Sequence, residues 1–140
     1  MFQPMTATFT QSKFYTPTLN AAIFDGPLRL YFAQSQEPEA LQIYFQLQKL
    51  FEESVHSFKE KIKDSGQNIF VLLYPAREVF EQVFTGDLAS NGLIVDHLGH
   101  DFILGVQGPV GELEFVRIQE GLFRIFNSQQ ASEPSFYHTL

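Results

Sequence analysis

The chain has no cysteine among its 140 residues. Disulfides, thiolate nucleophiles and thiolate-bound zinc are therefore excluded. No apolar run approaches the ~18 residues that a membrane-spanning helix needs. Met1 to Gln11 holds neither a basic region nor an apolar one of the secretory kind, so a cytoplasmic protein is expected. Bases are scarce: nine Lys and Arg stand against sixteen Asp and Glu, a net charge of −7. Residues 1–36 carry one acid and two bases, 37–83 eight and five, and 84–140 seven and two. With no basic stripe, phosphate backbones and anionic lipid surfaces are repelled, so neither nucleic acid nor membrane is an expected partner. The phosphate-loop pattern Gly-x-x-x-x-Gly-Lys, the dinucleotide pattern Gly-x-Gly-x-x-Gly and the nucleophile elbow Gly-x-Ser-x-Gly are all missing. No repeat or low-complexity segment occurs, and no cofactor is expected.

Against these absences stands an excess of phenylalanine: sixteen, with no tryptophan. Phe has no polar tip, so each ring seeks the core, a groove or an interface. A chain of this length forms one domain and buries roughly two-thirds of its unfolded surface, enough without metal or cross-link.

The organising stretch is Glu37 to Tyr74. Ser35 is placed to cap a helix, Glu37 and Glu39 suit the positive end of its dipole, and Pro38 is tolerated in the first turn. Leu41, Tyr44, Leu47, Phe51, Val55, Phe58 and Ile62 recur at steps of three and four, the spacing of one helical face. Lys59, Lys61 and Lys63 followed by Gly66 mark its end. Ile43, Phe45 and Leu50 lie off that stripe and form a second apolar patch, a candidate contact for another subunit or a partner protein. Ile69 to Tyr74 is continuously apolar and reads as a strand buried on both faces.

Upstream, Thr6 to Thr10 alternates weakly, as an edge strand would. Residues 20–33 read as a hairpin turning at Asp25-Gly26-Pro27. Downstream, Pro75 starts a short helix through Phe84, with Val79, Phe80 and Val83 on one face. Leu93 to His97, Phe102 to Val106, Glu112 to Ile118 and Leu122 to Phe126 read as four strands of a meander. Gly105-Val-Gln-Gly108-Pro-Val-Gly111 then falls between strands and reads as a hairpin turn. The predicted fold is α+β: one mixed, mostly antiparallel sheet in the order β-β-α-β-α-β-β-β-β, with a long and a short helix packed on one side. The domain spans residues 1–126, with 1–18 loose or an edge strand, and a polar tail follows over 127–140. Phe136 and Tyr137 are unexpected in such a tail and suit docking on the body or on a partner.

One polar cluster suggests chemistry. Asp96, His97, His100 and Asp101 offer nitrogen and oxygen donors for a metal such as zinc, nickel, iron or manganese. The same residues beside Gly99 also make an ordinary polar turn. Glu112 and Glu114 share one face of their predicted strand, an arrangement open to acid–base work but also to simple solvation. His56 flanks the helical stripe, and His138 lies in the tail. The leading expectation is a non-enzymatic interaction or dimerisation module, a homodimer or a binder of a protein partner, using aromatic surface. The alternatives are a small-molecule-binding sensory domain with a Phe-lined pocket, and a metal-dependent enzyme built on the Asp96–Asp101 turn.

Overall fold

The computed structural model describes residues 7–53, 65–84, 92–108 and 112–131. The apolar run becomes strand β3 (Ile69–Tyr74), and all six of its residues are buried. Around it lie β1 (Ala21–Asp25), β2 (Leu28–Phe32), β4 (Leu93–Leu98) and β5 (Asp101–Gln107), ordered β1-β2-β3-β5-β4 in a single five-stranded sheet. The helices are α1 (Ala7–Thr10), α2 (Glu37–Glu53), α3 (Arg77–Val83) and α4 (Glu112–Ala131). The class is α+β with one mixed sheet, as expected.

Its strand directions differ from expectation. Only the two outer pairs, β1–β2 and β4–β5, are antiparallel; β2, β3 and β5 run parallel. The link from β2 to β3 passes through α2, and a helical crossover returns the chain in the same direction. Both hairpins turn on glycines in the left-handed region, Gly26 (φ 59°) and Gly99 (φ 63°).

The expected third and fourth meander strands, Glu112 to Ile118 and Leu122 to Phe126, are one helix, α4. Phe115, Ile118, Leu122 and Ile125 supply a stripe at steps of three, four and three, and all four pack into the same core. Gly121, which falls between those two expected strands, lies inside this helix. The helix also continues through Asn127–Ala131, the start of the expected tail.

The sheet is covered on both faces rather than one. On the first, Leu30, Phe32, Val71, Leu73, Leu104 and Val106 pack under Ala40, Ile43, Leu47 and Leu50 of α2 and Ile118, Leu122 and Ile125 of α4. On the second, Tyr31, Phe70, Leu72, Tyr74 and Ile103 pack under Phe80 and Phe84 and the N-terminal segment through Phe9, Phe14 and Leu19. That segment is therefore neither loose nor an edge strand over its described part. Phe9 stacks on Phe70 (ring centroids 5.3 Å apart) and lies 4.5 Å from Tyr31. The Tyr74 hydroxyl donates to the Phe14 carbonyl at 2.7 Å and ties the segment down. Burial raises the Tyr74 phenol well above its ordinary pKa, because the phenolate would lose its hydration.

The entry to α2 also differs. Ser35 lies inside a 3-10 turn, Gln34–Gln36, that leads directly into the helix. Asn20 Oδ1 accepts the Gln34 N–H at 2.8 Å and satisfies the first donor of that turn. Gly66 has the positive φ (75°) expected of a helix-ending glycine. Val55, Phe58, Ile62 and the three lysines lie outside the described residues.

Candidate functional site

Among the described residues, the exposed large hydrophobics lie on the helical layer over the first sheet face. Ala40, Ile43, Leu47 and Leu50 are the residues α2 turns to the sheet. At about 100° per residue they cluster on one side of the helix, and Phe45 stands diametrically opposite. The two apolar sets expected on this helix therefore exchange members. Ile43 and Leu50, expected in the partner patch, are core at 3% and 8% exposure, and Leu41, expected in the core stripe, is outside. The apolar positions of α2 cover more than half its circumference, so their period fixes a helix but not which side faces the sheet. Phe45 of the expected patch is outward, at 61% exposure. Its ring lies 5.5 Å from that of Tyr44.

A matching pair stands on α4. Val116 and Phe123 lie opposite its buried stripe, and among the described residues the exposed large hydrophobics are Leu41, Phe45, Val116 and Phe123. All four belong to the two helices that cover the same sheet face. Only the residues of α2 were open to sequence reasoning, because 112–126 carried a strand pattern; reading Val116 and Phe123 at helical spacing would have paired them one face apart from Ile118 and Leu122.

The Asp96–Asp101 cluster lies at the β4–β5 tip. Asp96 and His97 are successive strand residues and point to opposite faces. Asp96 accepts the His97 backbone N–H at 2.8 Å, and the His97 ring lies 5.2 Å from its cross-strand partner Phe102. His100 is exposed, 3.9 Å from the Asp101 carboxylate. That carboxylate accepts the Asn68 N–H at 2.9 Å, and Gln67 Nε2 donates to the His100 carbonyl at 2.8 Å. The four side chains do not converge: among the described residues no group of three or more His, Asp or Glu is arranged to hold a metal ion. The cluster clasps the hairpin tip to the turn before β3. Glu112 and Glu114 belong to the first turn of helix α4 and not to a strand. His56 and His138 lie outside the described residues, as do Phe136 and Tyr137.

The glycine run Gly105 to Gly111 proves to lead from strand β5 into helix α4, not between two strands. Its central glycine serves packing. A Cβ on Gly108 would overlap the Tyr74 carbonyl oxygen and crowd Pro75. At this same edge Arg117 of α4 donates to the Gln107 carbonyl at 3.5 Å, and Gln36 Nε2 donates to that of Pro75 at 3.4 Å. The rings of the second face lie against one another, Tyr74, Phe80 and Phe84 having centroids 5.1 to 5.9 Å apart. Among the described residues no helix is long and apolar enough to cross a membrane.

The chain matches no protein-family model, no curated protein and no solved structure.

Proposed function

We propose that the protein is a non-catalytic interaction module that binds a protein through the outer face of the α2–α4 layer. The observation that carries this reading is the 61% exposure of Phe45, opposite the buried side of α2, with Leu41 one turn before it and Val116 and Phe123 on the neighbouring helix. A large apolar side chain at the centre of an outer face contributes nothing to the core and costs about 1.5–3 kcal/mol relative to burial. All four stand on the two helices that cover one sheet face, and exposed apolar surface of this kind is what partners cover.

The test is Phe45→Glu, compared with wild type by sedimentation velocity and as bait for binding partners. The substitution is expected to leave the melting curve in place and to remove the second component, be it a subunit or another protein. Unchanged mass together with an unchanged set of bound proteins would sink the reading.

A further inference from the structure

The sheet ends in two edge strands, β1 and β4, and they differ in how they meet solvent. Backbone groups of an antiparallel pair face the partner strand at every second residue, so the pairings inside the sheet fix which groups face outward. On β4 the Gly92 carbonyl accepts the Gln107 N–H at 2.9 Å. That turns Gly92, Ile94 and Asp96 inward and leaves Leu93, Val95 and His97 facing out. The outward His97 N–H is already taken by the Asp96 carboxylate at 2.8 Å. An incoming strand would have to displace that carboxylate, and charge on an edge is one way proteins keep it from pairing. Edge β1 has no such guard. The Pro27 carbonyl accepts the Ile69 N–H at 2.8 Å, so Arg29 and Tyr31 bond toward β3, and Leu28, Leu30 and Phe32 bond toward β1. Their partners there are Asp25, Ile23 and Ala21. Ala22 and Phe24 therefore point their N–H and C=O groups out of the sheet. The strand holds no Lys, no Pro and no bulge. Its single charge, Asp25, sits at the turn, 3.4 Å from Gln48 Nε2. Ala22 is exposed, and Ile23 and Phe24 are half-buried.

Outward backbone groups call for a strand as partner, and the order of side chains on β1 fits its own copy. Antiparallel apposition about a two-fold axis at Ile23 sets Ala22 against Phe24 of the copy, and Phe24 against its Ala22. Both pairs exchange two N–H···O bonds, so every outward group of Ala22 and Phe24 is used. A shift of two residues either way keeps only one such pair within the strands. On the second sheet face a large ring then meets a small side chain twice, and on the first face Ile23 meets Ile23. The two Asp25 carboxylates lie about 13 Å apart along the strands, four residue rises, which exceeds the Debye length of about 8 Å. Charge therefore does not oppose this pairing, whereas parallel pairing would set Asp25 beside Asp25.

We propose that two copies of the chain join through β1, antiparallel about Ile23, into one continuous sheet. This is an isologous contact, separate from the outer face of α2 and α4. The seam is short, so it belongs to the small, reversible class of interface, and the dimer forms as concentration rises. Sedimentation velocity on the full chain over a concentration series should show monomer and dimer in exchange. Hydrogen exchange read amide by amide supplies the specific signature. The Ala22 and Phe24 amides should gain at least about tenfold protection where the dimer forms, while Ile23, bonded to β2, is protected throughout.

Ala22→Pro removes one seam donor from each copy and leaves the β1–β2 ladder whole, because proline is tolerated on an edge where the N–H faces outward. It takes away two of the four seam bonds and should weaken self-association at least about tenfold. Ala22→Lys, at an exposed position, should do the same by setting a charge against Phe24 of the copy. If Ala22→Pro fails to fold, Ala22→Lys and the wild-type exchange pattern still decide. A wild type that stays monomeric at about 1 mM, or a dimer that survives Ala22→Lys, would overturn the proposal. So would protection of Ala22 and Phe24 that is indifferent to concentration. A dimer that Phe45→Glu dissolves and Ala22→Lys does not would overturn it as well, while leaving the outer helical face standing as the contact.

Discussion

Gly121 of α4 lies directly against Leu104 of β5, so close that a Cβ on the glycine would overlap the leucine Cδ1. Leu104 is fully buried and Gly121 is buried within its helix. The missing side chain sets how deeply α4 seats on the sheet. In an exposed helix, Gly→Ala gains roughly 1 kcal/mol from propensity. Here that gain is opposed by overpacking, which costs typically 1–3 kcal/mol. Gly121→Ala is therefore expected to lower stability in urea unfolding by about 1 kcal/mol. In the background of Leu104→Ala, which vacates the contested space, the same substitution should become neutral or stabilising. Additive effects in that double-mutant cycle would show that the contact does not control the seating.

The same glycine explains the largest misreading of the sequence. With Gly121 between two predicted strands, the segments on either side are too short for a helix and rich enough in Phe, Val and Ile for strands. The stripe Phe115, Ile118, Leu122 and Ile125 is legible once the glycine is allowed inside it. What local pattern could not supply was the leucine on β5 that makes a helical glycine useful. By contrast β3, the hairpin at Gly26 and the β4–β5 tip were legible, because a buried apolar run and turn glycines are local signals. Of the candidate site, Phe45 was legible as surplus apolar surface, but its companions were not. The side of α2 that faces the sheet depends on Ala40 and Ile43 meeting strands far away in sequence.

The exchange of roles on α2 gives a paired prediction. Ile43→Ala should destabilise the protein by about 2–5 kcal/mol, the usual loss for a buried aliphatic. Phe45→Ala should change stability by less than about 0.5 kcal/mol. Equilibrium denaturation of the two variants decides the matter. Comparable losses would mean that Phe45 is covered within the monomer.

At the hairpin tip the roles of His and Asp separate. Asp101→Ala removes the acceptor of the Asn68 N–H and loosens the clasp between the tip and the turn before β3. A loss of about 1 kcal/mol is expected. Replacing both His97 and His100 by Ala should stay within about 0.5 kcal/mol. A chelator should leave the wild-type melting temperature unchanged. A drop with chelator that the double histidine variant abolishes would restore the metal-dependent reading.

Tyr74 links alkaline stability to the anchoring of the N-terminal segment. Its pKa in the folded protein is raised above the ordinary 10.0, with burial as the cause. A group with a raised folded pKa binds its proton more tightly when folded. Its contribution is therefore fully present below the unfolded value and is lost as pH climbs above about 10. Tyr31 is shifted in the same direction, chiefly by burial, so it contributes to the same alkaline limb. Tyr74→Phe removes one titrating group and also leaves the Phe14 carbonyl without the hydroxyl that donates to it. At neutral pH the variant should be less stable by about 1–2 kcal/mol. Its stability should nevertheless fall less steeply than that of the wild type above pH 10, because one fewer phenol is forced to ionise on unfolding. Urea titrations at neutral pH and at several values above 10 measure both effects. Parallel alkaline limbs for the two proteins would mean that the Tyr74 phenol is hydrated in the native state and that the segment carrying Phe14 does not seal it.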